Sequence, residues 1–177
     1  QNGGKIWLVP EDGSQSPTVL GTCENDGSRA CEQLAWSPDS LSLLWGAEQG
    51  AWLGVPGKTG LREVHNGRIQ ITDPHGNQSE LPVVLTSFQW SPVGRYVLLE
   101  VKPVSSEVSW FGVLDTLMGR LIEVPDTFEF STSASVCWLD NGRLLVAFGG
   151  DTAHGEHPVV KIYNLLATRD DLLYLQR

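Results

Sequence analysis

Positive charge is scarce in this sequence. Twelve Lys and Arg stand against 21 Asp and Glu, a net charge of −9 with a pI near 4.8. The basic residues are scattered and form no cluster. A nucleic-acid binder needs a basic footprint to displace counterions from phosphate, so the composition argues against nucleic acid and against anionic membrane surfaces as partners. The acidity itself needs no explanation beyond solubility.

Long apolar runs are also missing, so no segment reads as a membrane helix, and the first residues do not resemble a signal peptide. The chain opens on Gln1 rather than Met, as a processed protein or an excised piece would. Sustained helical periodicity is absent. With 41% hydrophobic and 19% charged residues, the 177-residue chain still has the composition of a folded unit.

Catalytic signatures are equally thin. There is no G-x-S-x-G elbow, so the hydrolase half of a serine peptidase is not encoded here. "GVPGKTG" at 54–60 hints at a phosphate loop, but Trp52 stands where the first glycine would be needed, and "LREVHNG" after it reads as strand and turn, not helix. The four histidines are His65, His75, His154 and His157. "DTAHGEH" gathers Asp151, His154, Glu156 and His157, a weak candidate for a divalent metal. A glycine-containing loop holds such ligands poorly, so a solvated loop is the expectation, with no metal and no cofactor. No calcium-loop pattern occurs. "NQS" at 77–79 is an acceptor sequon on a turn.

Only three cysteines are present. Cys23 and Cys31 bracket the polar loop "CENDGSRAC". The pair is consistent with a small disulfide ring in an oxidising compartment, or with two free thiols brought close by chance. Cys137 lies in an apolar run and is expected to be a buried free thiol.

What the sequence does have is a repeat. "LAWSPDSLSLLW" (34–45), "FQWSPVGRYVLLE" (88–100) and "VCWLDNGRLLVA" (136–147) share a Trp, a tight turn and an apolar run. The tryptophans, at 36, 90 and 138, are spaced by 54 and 48 residues, near the period of a four-stranded propeller blade. A second hairpin pattern interleaves with the first: "GKIWLVPEDGSQSPTVL" from Gly4, "GRIQITDPHGNQSELPVV" from Gly67, "SWFGVLDTLMGRLIEV" from Ser109 and "VVKIYNLLATRDDLLYL" from Val159.

The expected fold is all-β: a propeller of four-stranded antiparallel blades within one domain spanning 1–177, about three full blades and a leading half blade. The repeats cover about 1–20, 33–84, 87–124 and 135–175. Inner hairpins fall at 33–47, 87–101 and 135–148, and outer hairpins at 5–20, 68–84, 110–124 and 159–175. Trp36, Trp90 and Trp138 are expected at equivalent, mostly buried positions, filling space between blades. An incomplete ring leaves open sheet edges, so the unit is expected to belong to a larger propeller or to self-associate to complete one.

"AWSPDS", with the later "KIYNL", resembles the WD40-like PD40 repeat of TolB-type β-propellers. It is also similar to the propeller domains of prolyl-oligopeptidase-family peptidases. Val93 stands where the family prefers Asp, and Leu139-Asp140 replaces Ser-Pro. The resemblance implies a non-catalytic module in an extracytoplasmic, periplasmic or secreted setting. It would bind a protein partner through the face that carries the long loops: Cys23 to Cys31, and residues 46–67, 102–109, 125–134 and 149–158. Residues 46–67 are long enough for an extra hairpin. Trp52 is the anchor candidate if it is exposed, with Leu53 and Arg62 beside it and Glu48 as a rim charge; the alternative is that Trp52 packs on its own blade. The alternatives are a substrate-gating propeller fragment of a serine peptidase and a purely structural domain of a larger surface protein. A scaffold of this kind does not choose among them.

Overall fold

A computed structural model of the chain describes residues 4–23, 33–47, 50–58, 61–72, 75–127, 134–149 and 159–165. These residues form fourteen strands: β1 Gly4–Leu8, β2 Thr18–Cys23, β3 Leu34–Trp36, β4 Leu43–Ala47, β5 Gly50–Gly54, β6 Arg62–His65, β7 Arg68–Thr72, β8 Gln78–Trp90, β9 Tyr96–Pro103, β10 Trp110–Asp115, β11 Arg120–Glu123, β12 Ala134–Trp138, β13 Arg143–Phe148 and β14 Val159–Asn164. All pairing is antiparallel, and the described residues contain no helix. The sheets are β1-β2, β3-β4-β5-β6, β11-β10-β9-β8-β7 and β12-β13-β14. The chain is a partial β-propeller, with successive meander sheets stacked face to face.

The strands beside the innermost one are deeply buried: β4 throughout its described part, and β9 together with β10. Val97, Leu98 and Leu99 in β9 are buried in succession, which requires cover on both faces. One face meets Leu44, Ala51 and Val64 of the preceding sheet. The other meets Leu144, Val146 and Phe148 of the following one. At the leading end, Ile6 and Leu20 pack on Leu43, Trp45 and Trp52. A sheet with apolar residues on both faces cannot be stable alone, so stacking is the source of stability in this architecture.

The Trp turns close alike despite different sequences. Ser37 N and Ser91 N donate to Ser42 O and Tyr96 O, while Ser37 Oγ and Ser91 Oγ accept from Ser42 N and Tyr96 N. In the third turn Leu139 N donates to Arg143 O, and the Asp140 carboxylate takes over the serine's task, accepting from Arg143 N at 2.9 Å. "LDNG" therefore replaces "SPDS" without loss of the turn. Position four of the first two turns is left-handed: Gly94 at φ 71 and Ser40 at φ 59.

Two expectations need correction. The second hairpin pattern at 68–84 does not supply the outer strands of the first blade. Those are β5 and β6, inside the stretch read as loop at 46–67, and the first complete blade is β3 to β6. The segment 68–84 instead forms β7 and the start of β8, and β8 runs on as the innermost strand of the next blade. The three tryptophans do end equivalent strands, opposite Leu43, Val97 and Leu144. They are not mostly buried, however. Trp90 and Trp138 are half-buried and Trp36 is exposed, because an innermost strand has no further strand to shield it.

Candidate functional site

The β7–β8 hairpin stands off the body of the propeller. β8 is 13 residues long, but β9 covers it only from Val83, which pairs with Pro103. Residues 78–82 continue past that point and pair with β7 alone. Because the other end of β8 is Trp90 and its turn, the hairpin projects from the opposite face. A bulge between Thr86 and Gln89, with Ser87 at φ 57, bends the strand between its two roles.

Alternation divides the hairpin into two sides. Ile69 and Leu81 pair with each other and pack on the core, anchoring its base. Ile71, nearer the tip, is 40% exposed. On the other side Gln70 Nε2 donates to Glu80 Oε1 at 3.0 Å, and Arg68 lies 3.4 Å from Glu80 Oε2. The sequon Asn77-Gln78-Ser79 begins at the tip. The base is stitched down: Gly67 N donates to His65 Nδ1 at 3.0 Å, Val83 N to Gly67 O at 2.8 Å, and Val104 N to Pro82 O at 3.1 Å. Burial also holds the His65 ring below its ordinary pKa, favouring the neutral imidazole. Val104 and Val108, in the connection beside the base, are exposed.

Further along this face, Asp126 accepts from Lys161 Nζ at 2.5 Å and from Tyr163 OH at 2.8 Å, tying the connection after β11 to β14. These bonds keep the Asp126 carboxyl below the usual range. Burial and the Asp126 charge push the Tyr163 hydroxyl up to about 12.

Of the four residues expected to contact a partner, the three that are described, Trp52, Leu53 and Arg62, do not share one patch. Trp52 and Leu53 are neighbours in β5 and so face opposite ways. Trp52 pairs with Trp45 and packs in the leading cluster, while Leu53 pairs with Leu44 and packs toward the second sheet. Arg62 reaches the next blade, where its Nη2 donates to Thr116 O at 2.6 Å. In the same seam a side chain at Gly119 would meet Val64 O at 2.7 Å, so only glycine allows that approach. Glu48 lies outside the described residues. So do Cys31, Asp151, His154, Glu156 and His157. Cys23 ends β2. Cys137 is a free thiol but exposed, since it lies on the innermost strand rather than in the core. Among the described residues, no three His, Cys, Asp or Glu are grouped as metal ligands would be.

The hairpin escaped the sequence reading as a projecting element, although its strands were recognised. The longer first Trp spacing, 54 residues against 48, carried the signal of an insertion between blades.

No protein-family model matches the chain, and no curated protein matches it. Among solved structures the chain is similar to an oligogalacturonate lyase in complex with manganese, with a TM-score of 0.46 and 14% identity. The match covers 96% of this chain and 43% of that one, so the chain spans less than half of the lyase. A likeness at that level says nothing about chemistry.

Proposed function

We propose that the chain is a non-catalytic β-propeller module that binds a protein partner through its loop-rich face, with the β7–β8 hairpin as the main contact. The observation that supports this reading is the hairpin itself: a stiff two-stranded projection, anchored by Ile69 and Leu81, that holds Ile71 out in solvent, with exposed Val104 at its base. Rigid scaffolds with projecting elements favour recognition, because little ordering entropy is lost on binding. The resemblance of "AWSPDS" to the PD40 repeat of TolB-type propellers supports an extracytoplasmic setting, as does the spacing of Cys23 and Cys31.

The test is affinity capture from the source organism with the intact chain, followed by variants of known fold. Ile71→Asp and Val104→Asp should each lose the captured partner. Val93→Asp and Leu139→Asp, exposed on the Trp-turn face, should retain it. The opposite pattern would place binding on the other face and reject the reading.

A further inference from the structure

Two residues, Asn66 and Gly67, join β6 to β7. Asn66 is exposed, whereas Gly67 is buried and takes a left-handed backbone at φ 67. On one side Gly67 N donates to His65 Nδ1 at 3.0 Å. That bond assigns Nδ1 as the unprotonated nitrogen of a neutral ring, with the hydrogen on Nε2. On the other side Arg68 N donates to Asn66 Oδ1 at 3.1 Å. The ring of atoms closed by this second bond contains the Gly67 nitrogen, so the Asn66 side-chain carbonyl is folded back beside it. Gly50 packs on the joint from behind: a side chain there would run into His65 O and come within 3.0 Å of Gly67 N.

An Asn-Gly pair carries a latent reaction, because glycine leaves its own nitrogen unhindered. The main-chain nitrogen can attack the Asn side-chain carbonyl and close a five-membered succinimide. Two obstacles make this slow in an ordinary chain. The amide nitrogen must lose its proton, and the carbonyl oxygen must take up charge. Here a base already holds the N–H, and a donor already holds the oxygen.

We propose that Asn66-Gly67 is a site of self-modification, in which His65 is the base that converts Asn66 to aspartate and isoaspartate. Gly67 N bonds to Asn66 Cγ while its proton passes to His65 Nδ1. Arg68 N–H stabilises the oxyanion at Oδ1. The imidazolium returns the proton to Asn66 Nδ2, the Cγ–Nδ2 bond breaks, and ammonia leaves. Water then opens the succinimide. Attack at Cγ gives aspartate, and attack at the main-chain carbonyl carbon of residue 66 gives isoaspartate. One water is consumed and one ammonia released, with no change of oxidation state. Isoaspartate adds a main-chain carbon at the base of the β7–β8 hairpin, next to the bond from Val83 N to Gly67 O. The pair Asn141-Gly142 offers a comparison within the same chain. There the glycine N–H is held by the Asp140 carboxylate at 3.1 Å. The Arg143 guanidinium holds the Asp140 carboxyl below its usual range, so it is a far weaker base than imidazole.

The test incubates the intact folded chain at neutral pH and maps its peptides by mass at intervals. Conversion adds about 1 Da, and chromatography separates the isoaspartyl from the aspartyl peptide. Asn66 should convert before Asn141, and faster in the folded chain than in the same chain unfolded in urea. His65→Gln supplies an acceptor for the Gly67 N–H but no base. It should slow conversion at Asn66 at least about tenfold and leave the rate at Asn141 unchanged. The comparison of folded with unfolded chain needs no variant, so it decides the matter even if His65→Gln does not fold. Conversion at Asn66 that is no faster folded than unfolded, that trails Asn141, or that is indifferent to His65→Gln in a folded variant would overturn the proposal.

Discussion

Gln89 and Trp138 lie 49 residues apart and meet through one hydrogen bond, the indole N–H donating to the carbonyl at 2.9 Å. Ala35 and Trp90 repeat the arrangement one sheet earlier. A net contribution of about 1 kcal/mol is ordinary for such a bond. Its larger consequence is geometric: it fixes how far one innermost strand stands from the next. The outer strands are held by other means, such as Arg62 on Thr116 O and Lys161 on Asp126.

Replacing Trp52 by Ala should lower stability by about 2 kcal/mol, because half-buried aromatic surface leaves the cluster of Ile6, Leu43 and Trp45. The melting temperature should fall by about 4–8 °C. Partner affinity, measured on the folded fraction, should not change. A stable variant with lost affinity would restore Trp52 to the binding surface.

Ser40 holds a left-handed backbone at φ 59, where Gly94 holds φ 71 in the equivalent turn. A side chain at such a site costs about 1–2 kcal/mol, part of which glycine gives back through its freer unfolded chain. Ser40→Gly should therefore raise the urea midpoint, by up to about 1 kcal/mol in stability. Gly94→Ala should lower it. An unchanged or lowered midpoint for Ser40→Gly would show that the turn is not strained there.

The turns and the Trp positions were legible in the sequence, because Ser-Pro-Asp-Ser, Ser-Pro-Val-Gly and Leu-Asp-Asn-Gly each follow a Trp at near-regular spacing. The sheet membership of residues 46–84 was not. β5 reads "GAWLG" and β6 only "REVH", short strands that look like loop. The stronger alternation of Ile69 and Ile71 drew the outer strands to β7 instead. The bulge at Ser87 is likewise silent in sequence, since serine carries no signal for positive φ. The separation of Trp52 from Leu53 followed only once β5 was known to be a strand.

Acid should weaken the fold through His65. Burial lowers its folded pKa below the unfolded value near 6.5, so the unfolded chain binds the extra proton first. The stabilisation is complete above about pH 6.5 and is lost as the pH falls through the lower folded pKa. Urea midpoints between pH 7.5 and pH 5 should fall, and His65→Asn should flatten that part of the curve. An equal slope in the variant would assign the acid sensitivity to other groups.

If Cys23 and Cys31 form a disulfide, the intact mass under non-reducing conditions should be about 2 Da below the sequence mass. Thiol labelling of the unfolded, unreduced protein should then modify Cys137 alone. Three labelled cysteines would remove this support for an oxidising compartment.

The indole bonds set the spacing of the innermost strands of the stacked sheets, and hydrogen exchange of the tryptophan indoles reads them directly by NMR. Trp90 and Trp138 should exchange slowly, because their N–H groups are held by Ala35 O and Gln89 O. Trp36, in the same register but without that bond, should exchange near the solvent rate in the isolated chain. Protection of Trp90 and Trp138 with a fast Trp36 is the predicted result. Fast exchange at Trp90 and Trp138 would contradict the stacked propeller arrangement.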